Sequence, residues 1–513
     1  MTERIDDVLV VGGGDIGLLT ALSVRQLNPT VDVTVVDDFD QDASGVGKST
    51  YREIQQVLHG TLDIDEREFI ARVRPIWKAS VYFRDWCGYP SFQFPFDPQT
   101  KYPSTDTPNA VEYSYHYYDE LAASPDHRTK GEEIVAQSKS PWYFDAQGDL
   151  DRYDEVAYHL DTERFNGYLR ELCRDRSVDL VDDAITTVET TGAHVDGLEG
   201  ERQNYDADLY VDATGFDRVL RSEQDVQFRD FAFPLDSALH AQVERSLSDV
   251  IPATVVETGA YGWFWHIDTY DHRDLGYVYA SAFVDEDDAR EEFREHVADV
   301  APDGAGSDPI GEADVETYSF TSGYYDRAWV DNCLAIGNAE GFVEPLQSTG
   351  LTANATAAVR FGNLLSAHGR IADDGIRADF NAWVSRLWES IYDFISVHYL
   401  YADGETAFWQ AMTARDVSPR VRQILASFDR NGFDWTVNRL AGDPDVIQPL
   451  VFQAPDFYTV MRSMGATATF YETNDFSVSD AVKRREDQRY QANRDAVSDY
   501  LTTRELYKGV MNF

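Results

Sequence analysis

The segment Val8-Leu9-Val10-Val11-Gly12-Gly13-Gly14-Asp15-Ile16-Gly17 joins a β-branched run to a glycine-rich turn. Apolar residues at helical spacing continue to Leu27, and a second β-branched run, Val31 to Val36, ends in Asp37. This strand, turn, helix and strand order is typical of a dinucleotide-binding unit, where glycines admit a pyrophosphate and the acid binds a ribose hydroxyl. We therefore predict a mixed α/β, Rossmann-like fold. The nucleotide-binding residues expected here are Gly12, Gly14, Gly17 and Asp37.

A second informative stretch is Gly337-Asn338-Ala339-Glu340-Gly341-Phe342-Val343-Glu344-Pro345-Leu346-Gln347-Ser348-Thr349-Gly350. Small residues let backbone N–H groups approach an anion, and the start of the helix expected after it adds a positive dipole. A plain helix cap by Ser348 or Thr349 is the simpler interpretation of its end. Capping and anion binding can share one turn.

The composition is strongly acidic, with 91 acidic and 44 basic residues in 513 and a formal net charge of -47. Nucleic acids and anionic membranes would repel such a chain, so neither is an expected partner. Only seven of the basic residues are lysines. An acidic, lysine-poor surface is typical of proteins adapted to concentrated salt, where ions screen the carboxylates.

The three cysteines, Cys87, Cys173 and Cys333, form neither a disulfide framework nor a CxxC pair, so no metal site is expected. A polar start leads directly into a strand, and no apolar run approaches the roughly 20 residues of a membrane span. We expect a soluble, cytoplasmic protein.

The nucleotide-binding segments are dispersed along the chain. Asp161 to Arg176 predicts an amphipathic helix, Val178 to Val188 strands, and Asp206 to Gly215 another strand. We predict a nucleotide-binding module within 1–350, assembled from about 1–50, 155–220 and 320–365. Substrate-side segments are inserted at about 75–150 and 225–320, and 366–513 forms a mostly helical part covering the substrate pocket.

The inserted segments have patterns of their own. Tyr82 to Phe96 and Tyr113 to Tyr118 are aromatic-rich and suit an apolar pocket, and Ala241 to Phe283 alternates as antiparallel strands do. The acidic segments Asp285 to Asp288 and Ala301 to Asp308 are interpreted as solvated turns.

Taken in order, these residues resemble the flavin-dependent tryptophan halogenase family over most of the chain. The segments that carry the resemblance are Val46-Gly47-Lys48-Ser49-Thr50, Trp77-Lys78-Ala79, Ala157 to Asp161, Asp212-Ala213-Thr214-Gly215-Phe216, Gly262 to Asp268, Asn332 to Gly350 and Asp393 to Tyr399. The resemblance implies reduced FAD from a separate flavin reductase, chloride or bromide, and an aromatic small-molecule substrate. It places Ala184, Asn338, Ala339 and Leu351 at the flavin and halide on the N–H groups of Thr349 and Gly350.

Lys78 corresponds to the family lysine that directs hypohalous acid onto the ring. Burial among apolar neighbours would lower its pKa and provide a neutral amine, which either forms a chloramine or hydrogen-bonds hypohalous acid. Alternation along Trp77 to Phe83 predicts one face with Lys78, Ser80 and Tyr82. A snorkelling surface lysine is the alternative.

The run Trp263-Phe264-Trp265-His266-Ile267-Asp268 resembles the family's W-x-W-x-I-P signature, whose tryptophans are thought to keep the organic substrate away from the flavin. Asp268 replaces the proline, which predicts a less restrained loop. Ordinary aromatic packing is the alternative interpretation of Trp263 and Trp265.

Gln347 stands where tryptophan-specific members carry a glutamate that helps remove the ring proton, a task that an amide cannot perform. A slow tryptophan halogenase, an enzyme for another electron-rich ring, or an inactive relative would each fit. Phe94 and Phe96 occupy the region that stacks the indole, and Phe457 or Tyr458 would close the cleft.

Two further classes stay open at this point: a monooxygenase or dehydrogenase acting directly at the flavin, and a flavin-binding scaffold without catalysis. A homodimer is the default expectation for an enzyme of this size.

Overall fold

The opening segment forms the predicted strand, turn, helix and strand in a computed structural model. The structure describes residues 3–39, 46–96, 112, 116, 119, 129–301, 309–311, 314–432, 452, 454–474 and 478–511. Most of Tyr113 to Tyr118 and of Ala301 to Asp308 therefore lies outside the described residues. The chain divides into two compact units. The first contains Met1–Pro75, Tyr158–Phe233 and Phe320–Glu389; the second contains Ile76–Ala157, Pro234–Ser319 and Ser390–Phe513.

A six-stranded sheet is the centre of the first unit. Its order is Asp179–Asp182, Asp32–Asp37, Asp7–Val11, Leu209–Asp212, Cys333–Ala335 and Trp329–Val330. The first five strands are parallel and the sixth is antiparallel. Continuous β-branched runs such as Val8 to Val11 suit strands that are buried on both faces.

Helices and smaller sheets complete this unit. The helices are Asp15–Leu27, Glu66–Val73, Thr162–Asp175 and Gly350–Ala367, with a π-helical turn at Gln56–Thr61 and 3₁₀ turns at Gly215–Asp217, Arg221–Glu223 and Gly337–Ala339. Two pairs of short strands are Glu3–Arg4 with Ile371–Ala372, and Lys48–Ser49 with Ala157–Leu160. A three-stranded sheet has the order Ile185–Thr191, His194–Gly200 and Asn204–Tyr205. Another has the order Phe228–Asp230, Gly323–Tyr325 and Gly341–Phe342.

The second unit is built on a seven-stranded sheet. Its order is Glu316–Ser319, Ser237–Glu244, His272–Tyr279, Gly262–Asp268, Ala253–Thr258, Ser80–Arg84 and Phe92–Pro95. The predicted antiparallel pattern is confirmed for every pair except Ala253–Thr258 with Ser80–Arg84, which is parallel.

One helix, Glu286–Val300, packs against this sheet, and we call it the covering helix. Phe293 and Val297 of the covering helix share a core with Phe264 and Tyr277 of the sheet. The interpretation of Asp285 to Asp288 as a solvated turn was wrong. The Asp285 carboxylate caps the helix by accepting the Asp288 N–H at 3.0 Å, and acidic residues in a first helical turn are stabilised by the helix dipole.

The predicted helical C-terminal part is confirmed. Its helices are Asp374–Leu400, Ala407–Thr413, Pro419–Asn431, Ala454–Ser463, Thr469–Thr473 and Asp480–Ser498, followed by a π-helical turn at Glu505–Val510. The division between the units falls after Glu389, within the first of these helices, rather than near residue 366. The second unit also contains the helix Lys130–Ala136, the strand Ile76–Lys78, the hairpin Trp142–Phe144 with Leu150–Arg152, and 3₁₀ turns at Trp86–Gly88 and Leu247–Asp249. Among the described residues, no helix is both long and apolar enough to cross a bilayer.

Candidate active site

The glycine turn of the first unit is shaped by two close backbone approaches. Gly12 has a φ of +107°, and a Cβ there would lie 2.4 Å from the Ala213 carbonyl oxygen. A Cβ on Gly17 would lie 1.8 Å from the Gly12 carbonyl oxygen. Since neither position accepts a side chain, these glycines allow the helix Asp15–Leu27 to start directly at the end of the strand.

The start of that helix is open to an anion. Gly14 is its N-cap residue and offers no capping side chain, and among the described residues beyond its chain neighbours no atom lies within 4 Å of the place a Cβ would take. The Ile16 N–H donates to the Asp15 carboxylate at 2.8 Å, and the N–H groups before it face this open space, as a diphosphate needs. The residues present therefore fit the diphosphate of FAD.

Asp37 and Ala184 lie close to one another at the ends of adjacent parallel strands. The Asp183 N–H donates to the Asp37 carbonyl oxygen at 3.0 Å, and Ala184 follows directly. Burial raises the pKa of the Asp37 carboxyl, an effect partly offset by hydrogen bonds from the Gly13 and Asp38 N–H groups. Asp37 thus lies where the turn, the helix and the next strand meet, as an acid that binds a ribose must.

The second motif is organised by a residue that the sequence analysis missed. The Gly337 N–H donates to Asn354 Oδ1 at 3.1 Å, and Asn354 Nδ2 donates to the Gly350 carbonyl oxygen at 3.0 Å. Asn354 therefore joins the turn that contains Asn338 and Ala339 to the first turn of the helix Gly350–Ala367. No local pattern distinguishes Asn354, because an asparagine in the first turns of a helix is also common where the side chain only faces solvent.

The predicted halide position lies at the start of that helix. Thr349 is the N-cap residue, but its side chain makes no capping hydrogen bond, so capping by Thr349 was a wrong interpretation. The preceding Ser348 has a left-handed φ of +56° and donates its N–H to the Pro345 carbonyl oxygen at 2.8 Å. In the described part of the chain, apart from the neighbouring residues and backbone of the same helix, no atom lies within 4 Å of a Cβ built on Gly350, and Leu351 beside it is buried. This tight turn leaves space at the first helical residue.

Three polar side chains of the same motif are fully buried. Gln347 and Glu344 have no exposed surface, and Glu344 Oε2 accepts the Leu346 N–H at 3.1 Å. Glu340 accepts a hydrogen bond from the Trp388 indole N–H, and burial raises the pKa of its carboxyl to about 8. The sequence analysis gave Glu340 no role, although an acid within a Gly/Ala-rich stretch was a usable signal.

Lys78, in the second unit, is also fully buried. Its Nζ lies 5.3 Å from the centre of the Phe96 ring, and burial lowers the pKa of its ammonium group well below the ordinary value. The snorkelling alternative was therefore wrong. The neighbouring Trp77 packs on Trp142 and Tyr507, with ring centroids 5.8 and 5.7 Å apart.

The predicted alternation around Lys78 needs a correction. The strands Ile76–Lys78 and Ser80–Arg84 are separate elements, because Ala79 between them belongs to neither strand. The Ala79 N–H donates to the Pro252 carbonyl oxygen at 2.8 Å, and its own carbonyl accepts the Phe96 N–H at 3.4 Å. The second bond holds the backbone of Phe96 next to Ala79, the residue that follows Lys78, and the first attaches Ala79 to Pro252.

Phe94 is placed differently from Phe96. Its ring packs 5.4 Å from Phe394, which stacks on Phe452 at 3.8 Å and lies 5.1 Å from Phe457. Phe457 and Tyr458 are buried. Of the two predicted substrate residues, Phe96 lies beside the lysine and Phe94 belongs to an aromatic cluster.

The strand Gly262–Asp268, which we call the tryptophan strand, carries Trp263 and Trp265 on one face. Both side chains are buried, with ring centroids 6.0 Å apart at 58°. Within the part of the chain that the structure describes, the Trp263 indole N–H has no hydrogen-bond partner. Trp265 covers Gly276, where a Cβ would lie 1.9 Å from its ring.

The prediction that Asp268 loosens a loop was wrong. Asp268 ends the tryptophan strand, and its carboxylate accepts two hydrogen bonds from Arg273, at 2.8 and 3.1 Å, and the Ile251 N–H at 2.7 Å. Arg245 lies 3.4 Å away. Ion pairing with these arginines lowers the pKa of Asp268 despite its burial. Asp268, which stands in place of the proline, therefore fixes this end of the tryptophan strand through its ion pairs.

A nucleotide-binding sheet with an open helix start, a second uncapped helix start, and a buried amine beside an aromatic ring define a flavin-dependent halogenase. Comparison with known proteins agrees: residues 7–477 match the family model described as tryptophan halogenase. The chain belongs to the tryptophan halogenase family.

Individual relatives share about a quarter of its sequence. It is 27% identical over 443 residues to tryptophan 7-halogenase RebH of Lentzea aerocolonigenes, covering 80% of this chain and 79% of that protein. Tryptophan 6-halogenase SttH of Streptomyces toxytricini is 28% identical over 457 residues, covering 81% and 82%. The crystal structure of MibH, a tryptophan 5-halogenase, superposes with a TM-score of 0.82 at 28% identity, covering 98% of this chain and 93% of that one.

Proposed function

We propose that this protein installs chloride or bromide on an electron-rich aromatic small molecule, and that Lys78 directs the halogen. The observation that carries the proposal is the complete burial of Lys78, with its amine 5.3 Å from the Phe96 ring. Burial lowers the pKa of Lys78 and so favours the neutral amine, which can accept a hydrogen bond or an electrophile as an ammonium ion cannot.

Gly12, Gly14, Gly17 and Asp37 would hold the FAD diphosphate and ribose, with Ala184, Asn338, Ala339 and Leu351 around the rest of the cofactor. When bound in its reduced form, FAD would supply two electrons which, with two from the halide, reduce dioxygen, so that halide, dioxygen and a proton become hypohalous acid and water. We assign halide to the Thr349 and Gly350 N–H groups, because an uncapped helix start with adjacent space favours an anion. A separate flavin reductase would deliver the reduced cofactor in the cytoplasm.

The chemistry assigned to Lys78 balances without another reagent. The amine nitrogen either hydrogen-bonds hypohalous acid or takes its halogen, in which case the O–X bond breaks, an N–X bond forms and water leaves. The ring carbon then attacks the halogen, and the ring proton returns to the amine. The net reaction converts the aromatic C–H and hypohalous acid into the aryl halide and water.

Gln347 guides the choice of substrate class. Its amide cannot become anionic to stabilise a cationic ring or remove a proton, so the substrate must need less assistance. A phenol or pyrrole fits this requirement, and an indole such as tryptophan would react more slowly. The two curated relatives named above are tryptophan halogenases, and MibH is described as a lanthipeptide tryptophan 5-halogenase. Phe96 would provide the aromatic wall beside Lys78, and Trp263 and Trp265 the barrier that excludes the organic substrate from the flavin.

The test incubates the purified protein with FAD, a flavin reductase, NADH, chloride or bromide, and a pool of phenols, pyrroles and indoles. Mass spectrometry should find the isotope pattern of chlorine or bromine in a product. Hydroxylated products without halogen would contradict the proposal and support a monooxygenase.

Two matched variants test the lysine. Lys78→Met should abolish halogenation while FAD binding, followed by flavin fluorescence, is retained. Lys130→Met removes a lysine that also lies over an aromatic ring, 5.9 Å from the Tyr153 centroid, but is only partly buried. It should keep full activity. Halogenated product from Lys78→Met would refute the role of Lys78.

A further inference from the structure

The opposite face of the tryptophan strand carries a cluster of ligating atoms outside the site described above. Glu257, His266 and His296 come from three elements: the strand Ala253–Thr258, the tryptophan strand and the covering helix. The two Nε2 atoms are 2.9 Å apart, and Glu257 Oε2 lies 3.1 Å from His266 Nε2 and 3.3 Å from His296 Nε2. Three ligating atoms thus form a nearly equilateral triangle.

The size of this triangle matches a metal ion. Ligands around a tetrahedral ion are separated by about 1.6 times the metal–ligand distance, so edges near 3.1 Å correspond to about 1.9 Å, within about 0.2 Å of zinc–ligand distances. Imidazole nitrogens bind zinc at about 2.0–2.1 Å and carboxylate oxygens at about 2.0–2.2 Å. Two imidazoles and one carboxylate on one side of an ion leave further positions for water.

The surroundings fix the orientation of two of the three groups, Glu257 and His296. The other Glu257 oxygen, Oε1, accepts a hydrogen bond from Arg84 at 3.0 Å, which leaves Oε2 for the cluster. The His296 ring stacks on Phe264 at 3.9 Å with an angle of 9°, which fixes the plane of the imidazole. The His266 side chain is 2% exposed, whereas those of His296 and Glu257 are 14% and 16% exposed, so an ion can enter from their side.

We propose that Glu257, His266 and His296 bind a divalent transition-metal ion of the zinc class, which joins the covering helix to the tryptophan strand. Imidazole favours such ions over Mg²⁺ and Ca²⁺, which prefer oxygen ligands. The role is structural: the ion fixes the face opposite Trp263 and Trp265. Sequence analysis missed the site because its ligands are separated by 9 and 30 residues and follow no metal-binding motif.

The test must separate this site from the many surface carboxylates of so acidic a chain. The full-length protein is titrated with Zn²⁺ in concentrated NaCl and excess Mg²⁺, which saturates oxygen-only sites. One equivalent of tightly bound Zn²⁺ and a raised unfolding temperature are expected. Co²⁺ should show the visible absorption of imidazole ligation. A wild-type protein that binds no stoichiometric Zn²⁺ would overturn the proposal.

Two variants test the ligand assignment. His296→Gln should weaken Zn²⁺ binding more than about 100-fold, beyond the usual effect of altering a supporting residue, and abolish the thermal shift. His194→Gln, which removes an exposed histidine of the first unit, should change neither. Equal binding by wild type and His296→Gln would assign the Zn²⁺ to surface carboxylates and overturn the proposal. If His296→Gln does not fold, the Co²⁺ spectrum of the wild type decides alone.

Discussion

Lys78→Met should change the pH dependence of stability as well as remove activity. Burial lowers the pKa of the Lys78 ammonium in the folded protein, whereas the unfolded chain keeps the ordinary value of about 10.4. Between these two pKa values the unfolded state binds more protons, so the contribution of Lys78 to stability rises with pH. The slope is at most about 1.4 kcal/mol per pH unit, reached where the folded amine is neutral and the unfolded amine charged.

Methionine has a similar length and no charge, so it removes this slope. At pH 7 we expect Lys78→Met to be more stable than wild type, and its advantage should shrink as the pH approaches 10. Over three pH units the change in the stability difference is limited to about 4 kcal/mol. Urea unfolding at a series of pH values measures it, with Lys130→Met as the matched control that should follow wild type. A difference between wild type and Lys78→Met that stays constant from pH 7 to pH 10 would refute a desolvated amine.

Three other substitutions have defined outcomes. Gln347→Glu restores a carboxylate at a buried position. It should raise the rate of tryptophan halogenation at least about tenfold, measured by product formation. An unchanged rate would mean that this side chain does not act on the ring. Glu340 has a pKa of about 8, so it destabilises the protein increasingly as the pH rises from about 4.5 to 8. Glu340→Gln should therefore gain up to about 4 kcal/mol relative to wild type between pH 5 and pH 8 in denaturant unfolding, and a constant difference would count against the raised pKa. Asp268→Asn should cost about 3–5 kcal/mol of unfolding free energy, because it leaves Arg245 and Arg273 buried without their carboxylate; a loss below about 1 kcal/mol would show that the pair is not needed.

Local sequence was sufficient wherever the structure depends on backbone shape. Gly17 is required by a contact with the Gly12 carbonyl within the same turn, so a short window is sufficient to predict the turn, although Gly12 itself is also required by the distant Ala213 carbonyl. The β-branched runs likewise predicted the parallel strands, because burial on both faces selects the same residue types at every position. The start of the helix at Gly350 was likewise predictable from the residues directly around it.

The failures concern residues whose partners lie on other elements. Asp268 was interpreted through the proline that it replaces, yet its environment is set by Arg273 of the next strand and by Arg245 of a more distant segment, and the residue pattern around Asp268 does not show that these side chains meet. Asn354 and the Glu257, His266 and His296 cluster were missed for the same reason. The covering helix was missed because its acidic first turn resembles a loop when the apolar face behind it is overlooked.

Two buried ionisable side chains of the second unit, Asp268 and Lys78, differ in what their surroundings do to their charge. Asp268 is surrounded by arginines, which keep it ionised, and a buried charge compensated in this way serves architecture. The pKa of Lys78 is set by burial, which favours the neutral amine at the cost of the ammonium form. An enzyme that must present a nucleophilic nitrogen to an electrophile gains from that loss of charge, whereas a structural lysine would gain nothing. The two groups thus differ in the cause of their pKa shifts, ion pairs for Asp268 and burial for Lys78, and the burial of Lys78 is what supports a catalytic amine.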